Sequence, residues 1–291
     1  MNGISRRGML RGALGLLAGS VVARGAIAAG GAKSRVVLVR DPKAIDGDGN
    51  ARLDVIQEMI DAAVVELVGE TDPIDAWGQI LKARDVVGIK SNVWQYLPTP
   101  PAVEEAIRRR AIEVGVKPDD VAVDDRNVLR NRVFSRATAL VNTRPMRSHH
   151  WAGLGTCLKN YITFAPEPWA YHPNACENLG ALWRLPACKG KTRLNVLVML
   201  TPQFHGVGPH NFSPEHVWPY AGLVVSRDPV AADAIGAAII VAKRRDFFGQ
   251  DRPISPSVHH IRVADTRFGL GNSRLERIDL LRLGEARGSL I

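Results

Sequence analysis

Cysteine is scarce in this sequence: Cys157, Cys176 and Cys188 are the only three among 291 residues. Three thiols cannot ligate an iron–sulfur cluster that needs four within one chain. No Cys-x-x-Cys pair is present, and the odd count leaves at most one disulfide and one free thiol. Several reaction signatures are missing as well. There is no Gly-x-x-x-x-Gly-Lys-Ser/Thr phosphate loop, no His-Glu-x-x-His zinc helix, and no Gly-x-Ser-x-Gly or Ser-x-x-Lys motif for serine hydrolysis. Basic blocks interleaved with aromatics are absent, so nucleic acid is not an expected partner. No Pro/Ser-rich linker, repeat or composition break divides the chain, which favours one large domain.

What is present starts at the N-terminus. "SRRGMLR" (Ser5–Arg11) precedes an apolar, Gly/Ala-rich run. The paired Arg6-Arg7 resembles a twin-arginine export signal, and Ala26-Ile27-Ala28 offers the small residues a signal peptidase needs. Residues 1–28 are therefore expected to be a signal, read by the twin-arginine translocation machinery and removed. Residues 29–291 are expected to form the mature domain in the periplasm. Arg24 interrupts the run before about 18 clean apolar residues have accumulated, so no stable membrane span is expected after cleavage. That export route carries folded proteins, which favours a bound metal or cofactor. The first 28 residues hold four Arg and no acid, leaving 34 basic against 29 acidic side chains, a mild excess that suits a small anionic ligand.

The apolar pattern then alternates between two periods. "RVVLV" (Arg35–Val39), "DVVGIK" (Asp85–Lys90), "DVAVDD" (Asp120–Asp125), "ATALVN" (Ala137–Asn142), "LNVLVML" (Leu194–Leu200) and "AGLVVS" (Ala221–Ser226) read as buried strands. Leu53, Ile56, Ile60, Ala63, Val64 and Leu67 recur at helical spacing. A helix after Thr99 is expected to take Thr99 as N-cap and Pro100 as its first residue. Another after Asp228 takes Asp228 as cap and Pro229 first. A last helix near Ser255–Gly269 and a strand near Arg277–Leu283 complete the set. The alternation implies an α/β fold, a mainly parallel or mixed sheet flanked by helices. Between Tyr161 and Arg193 the chain is irregular and rich in Pro and Trp, and long irregular segments are often functional.

Three strands end in polar residues: Lys90-Ser91-Asn92, Asp124-Asp125 and Asn142-Thr143-Arg144. In an open parallel sheet the ligand crevice lies beyond the carboxyl ends of the strands, so Lys90, Asn92, Asp124, Asp125 and Asn142 can converge. The third run continues as "NTRPMRSHHWAGLGTCLKNY" (142–161), a basic stretch that reads as a loop. In it Arg147, Lys159 and Asn160 add donors, while Gly153 and Gly155 allow close backbone approach. Adjacent His149 and His150 are expected to point in different directions, leaving one as a ligand. "QFHGVGPHNFSPEH" adds His205, His210 and His216, with Gly206 and Gly208 making a flexible turn. Imidazoles suit Zn, Cu, Ni or Fe, so His149, His205 and His210 are the candidate metal ligands. "DGDGN" (Asp46–Asn50) resembles a calcium loop, but Ala51 and Gln57 stand where Gly and a bidentate Glu are required, and a plain turn is expected.

"VGIKSN", "TPPAVEEAI", "VAVDD", "ALVNTRPMRSHHWAGLGTCLKNY", "HGVGP", "GLVVSRDPVAADAIGA" and "VADTRFGLG" follow one another in an order that resembles the bacterial and archaeal family called domain of unknown function 362. The resemblance implies a site built from Lys90, Asn92, Asp124, Asp125, Asn142, His149, Lys159, Asn160, the 206–209 turn, Asp228 and Asp233. The chain departs from the family pattern at Ser91, where Pro is usual, and at Arg147, where Lys is frequent. Arg keeps the charge as a rigid fork suited to carboxylate or phosphate. The four-Cys cluster of many members is missing.

The combined expectation is an exported periplasmic enzyme, metal- or cofactor-dependent, acting on a small anionic substrate. Lys90, Asp124, Asp125 and Lys159 would be catalytic, and Asn92, Asn142, Arg147, Asn160, Gly206 and Gly208 would bind substrate. The alternative is a non-catalytic anion- or metal-binding envelope protein using the same donors.

Overall fold

Each short apolar run forms a strand, and together they make one eight-stranded mixed sheet. The computed structural model describes residues 33–207 and 210–291; the expected signal at 1–28 lies outside the described residues. The strands are β1 (Ser34–Arg40), β2 (Val87–Lys90), β3 (Val121–Asp124), β4 (Ala139–His149), β5 (Gly153–Gly155), β6 (Thr192–Gln203), β7 (Gly222–Ser226) and β8 (Ile278–Gly284). Their order is β3-β2-β4-β6-β7-β1-β8, with β5 paired to β4. The pairs β2–β3, β2–β4, β4–β6 and β1–β8 are parallel, whereas β7 runs antiparallel to both β6 and β1. The described domain, Lys33–Ile291, is one compact unit.

Helices cover both faces. On one side lie α1 (Leu53–Val68), α2 (Pro73–Ile80) and α3 (Pro101–Glu113). Their apolar stripes bury Ile56, Ile60, Trp77 and Ile107 against Val37, Ile89, Val141 and Val196. Asp61, buried on α1, ties the three together: it accepts from Trp77 Nε1 of α2 at 2.9 Å and from Arg110 Nε of α3 at 2.9 Å. On the other side lie the short α4 (Arg132–Ser135) and α5 (Cys157–Asn160) and two later helices, Pro229–Phe248 and His260–Thr266. They bury Leu158, Ile235, Ile239 and Ile261 against Leu140, Leu197 and Val224. Asp228 caps the Pro229 helix by accepting from the Val230 and Ala231 N–H groups, as its sequence position predicts.

Two expectations need correction. Pro100, not Thr99, is the N-cap of α3; the Thr99 hydroxyl instead accepts from the Asn92 N–H at 3.1 Å and closes the loop after β2. The stretch 142–149 is not a loop: β4 continues as buried strand to His149, because β5 and β6 supply backbone partners along its length. Gly153 and Gly155 make room within the protein. A Cβ at Gly155 would stand 2.8 Å from Arg144 Nη2, so glycine lets the guanidinium lie against the backbone. In "DGDGN" Asp46 accepts from the Asp48 and Asn50 N–H groups, the plain turn expected.

Candidate functional site

A transverse row of polar side chains crosses the sheet at one level. Asp124, Lys90, Asn142, Asn195 and Ser226 are successive register partners on β3, β2, β4, β6 and β7. Four of them, all but Asp124, are fully buried. Burial of so many polar groups is tolerable only if they satisfy one another. Asn142 donates to the Cys157 carbonyl and to Asn195 Oδ1, both at 3.1 Å. Asn160, at the end of α5, donates to Asn142 Oδ1 at 2.8 Å and to the Thr143 carbonyl at 2.9 Å.

The row becomes charged toward β2. Lys90 Nζ donates to Asp125 Oδ1 at 2.5 Å and to the Ser91 carbonyl at 2.7 Å. The second Asp125 oxygen accepts from the Val93 N–H at 3.0 Å. Burial lowers the Lys90 pKa to about 8 against the opposing pull of Asp125. Burial by itself would raise the Asp125 carboxyl; the Lys90 charge and hydrogen bond outweigh it and the net shift is downward.

Beyond the end of β2, the extension of β4 carries Arg144, Arg147 and His149 inward. All three are buried, and Arg147 is only 6% exposed. Arg144 donates to Asn160 Oδ1 at 3.2 Å, but its Nε finds no partner. Arg147 has a buried Nε with no hydrogen bond and stacks its guanidinium 3.8 Å from the centre of the Trp94 ring. No carboxylate pairs with either guanidinium among the described residues. Burial first, then the neighbouring Arg144, lowers the Arg147 pKa well below its ordinary range. Lys159, on α5 and 3% exposed, has His172 as its side-chain partner, with Nζ and Nε2 3.1 Å apart. Burial and the Arg144 charge bring Lys159 down to about 7, and burial and Lys159 bring His172 to about 4. A neutral imidazole thus accepts from an ammonium that titrates near neutral pH.

The expected site residues sort into two groups. Lys90, Asp125, Asn142, Arg147, Lys159 and Asn160 do converge around the β2 and β4 ends and α5. Asp124 faces the same side but spends its oxygens on the Asn127 N–H and on Asn131 Nδ2. Asn92 sits in the loop after β2 with its buried Oδ1 unpartnered. His149 does not point away from His150: their rings stack at 4.9 Å and 8°. His149 Nδ1 accepts from the Trp151 and Ala152 N–H groups, and burial, then the Lys159 charge, pushes its pKa far down. The other histidines make different neighbours. His205 Nδ1 lies 3.0 Å from Arg244, and His210 is exposed beside Tyr96. No three His, Cys, Asp or Glu side chains gather as a cation site among the described residues. Gly206 passes tightly beside Ser148, where a Cβ would come within 2.6 Å of the hydroxyl; Gly208 lies outside the described residues.

Sequence reasoning missed Arg144 and His172 as members of the cluster. Arg144 stands two residues after Asn142, and period two on a strand places both on one face. Extending β4 past Asn142 would have found it. His172 carried no local signal, because it reaches Lys159 from the irregular 161–193 segment.

Residues 117–238 match the family model described as Domain of unknown function (DUF362). The matched segment holds Asp124, Asp125, Asn142, Arg144, Arg147, Lys159, Asn160 and Asp233. Lys90 and Asn92 come from the strand and loop that precede it. No curated protein and no solved structure matches the chain.

Proposed function

We propose that this chain is an exported periplasmic protein that binds a small anionic substrate at the carboxyl edge of β2 and β4 and transfers a proton to or from it. The observation that carries the reading is the imbalance of buried charge. Lys90, Arg144, Arg147 and Lys159 lie within one cluster, and Asp125, bonded to Lys90, is the carboxylate whose pKa is driven down there. Two guanidiniums with buried, unpartnered Nε groups are costly unless an anion completes them. An Arg fork recognises carboxylate or phosphate oxygens in bidentate fashion. Trp94 covers Arg147, and His172 with the half-exposed Trp151 covers Lys159. A ligand reaches the cations by displacing these covers.

Lys159 is the residue suited to proton transfer. A group titrating near the working pH is the best general acid or base, and Lys159 at about 7 meets that condition. Arg147 and Arg144 hold the anion; the Lys90–Asp125 pair fixes the loop after β2 through the Val93 N–H. One observation favours the second reading, a non-catalytic anion-binding envelope protein: both Asp125 oxygens and both Asp124 oxygens are already engaged, which leaves no free carboxylate base.

The test uses the mature chain and a panel of phosphate, sulfate and small carboxylates read by thermal shift, followed by turnover assays on phosphate esters and carboxylic acids. Binding that survives Lys159→Met while turnover disappears supports the enzyme. Binding with no turnover of any panel member supports the second reading, and no anion response at all sinks both.

A further inference from the structure

The opposite edge of the sheet holds a second concentration of positive charge that the site above does not use. At the amino ends of β2 and β6 a cavity of about 450 Å³ is lined by Lys82, Arg84, Arg193 and Arg227, together with Gln79, Ile80, Asp85 and Thr192. Its single carboxylate is already engaged: Asp85 Oδ2 accepts from the Lys82 N–H at 2.8 Å and Oδ1 from the Thr138 hydroxyl at 2.7 Å. Asp85 therefore clamps the β2 approach to the start of β4 and neutralises no side chain in the cavity.

Three of the four cations are held in place by main-chain carbonyls. Lys82 Nζ donates to the Gly78 carbonyl at the end of α2. Arg227 Nη2 donates to the Gln79 carbonyl at 3.2 Å, and Arg193 Nη1 to the Gly190 carbonyl at 3.3 Å. Arg84 makes no ion pair with the described residues. These bonds fix three charged heads, from three separate segments, around one volume while leaving them solvated. A concave surface lined by one sign of charge focuses its field and concentrates counter-ions. A cavity of this size falls within the range of small-molecule sites.

We infer that this cavity is a second binding site, separate from the carboxyl-edge cluster, for a small polyanion with at least two charged phosphate or carboxylate groups. A single charged group would satisfy one or two of the four heads, whereas a ligand with distributed charges can engage more of them. Arg84 and Arg193 are the residues to change, because both are exposed and neither supports the core.

Inorganic pyrophosphate is the probe, titrated calorimetrically into mature protein carrying Arg147→Met, which removes the central cation of the first site. The inference expects saturable binding in that background. Adding Arg84→Ala and Arg193→Ala should weaken it at least tenfold, since hydrogen bonds to charged groups are individually worth about that much. Circular dichroism and a melting temperature unchanged from that of Arg147→Met would confirm that the triple variant is folded. No binding in the Arg147→Met background overturns the inference, and so does undiminished binding in the triple variant. Neither outcome bears on the first site, whose response to inorganic phosphate is read in protein with Arg147 intact.

Discussion

At the scale of single residues, the chemistry turns on which buried charges have partners. Lys90 has Asp125; Arg147 has an aromatic face and no anion. Lys159 has a neutral imidazole, and its pKa of about 7 makes anion affinity pH-dependent. Below that value the ammonium is present and attracts an anion; above it the charge is lost. Sulfate, which keeps its own charge across this range, should therefore bind several-fold more weakly at pH 8 than at pH 6. Lys159→Arg, whose charge does not titrate in this range, should flatten that dependence, as isothermal titration at several pH values would show. The candidate residues were legible in sequence because Lys, Asp and Asn directly after apolar runs mark strand ends at a crevice. Their roles were less so. Asn142 and Asn160 read as ligand donors, yet their amides bond Asn195, Cys157 and Thr143 inside the protein. A side chain's type says what it can bond, and only the register of neighbouring strands says what it does bond.

At the scale of elements, the starts of two helices were readable to the residue, while that of α3 was off by one. α1 begins at Leu53, and the Asp228-capped helix begins at Pro229. β4 was half readable. Its first residues are apolar, but from Asn142 to His149 the buried positions include Asn, Thr, Arg and Ser, and hydrophobic periodicity cannot reveal a strand buried through polar groups. α2 was missed because eight residues hold too few turns to show a period. The Asp61 clasp was equally invisible, since it joins residues 16 and 49 positions apart. Removing it tests how far α1, α2 and α3 depend on one another. Asp61→Asn leaves Arg110 without its buried charge partner and should lower unfolding stability by about 2–3 kcal/mol in urea. A loss within about 0.5 kcal/mol would mean the apolar contacts suffice alone.

At the scale of the whole molecule, buried ionisable groups shape stability against pH in opposing ways. Burial raises Asp233 to about 7 although it accepts from the Cys157 and Leu158 N–H groups at the start of α5. A carboxyl raised above its unfolded value of 3.8 contributes stability at low pH that is lost as pH rises through about 7. Lys90 at about 8 and Lys159 at about 7 are depressed from 10.5. Their contribution is full above 10.5 and is lost as pH falls through those values. Without ligand, these three groups together should place a shallow stability minimum near pH 7–8. Asp233→Asn should flatten the acid limb between about pH 4 and 7 in melting-temperature scans. An anion bound at Arg147 and Lys159 should fill that minimum, because a ligand that binds only the folded state adds stability by mass action. The central claim is that the β4 extension holds its unpaired guanidinium ready for an anion at a standing cost in stability. The direct measurement is the melting temperature of wild type and Arg147→Met at pH 7, each with and without phosphate. The account predicts that Arg147→Met melts higher than wild type in the absence of phosphate and gains nothing when phosphate is added, while wild type gains several degrees. A variant that melts lower, or that responds to phosphate as wild type does, would contradict it.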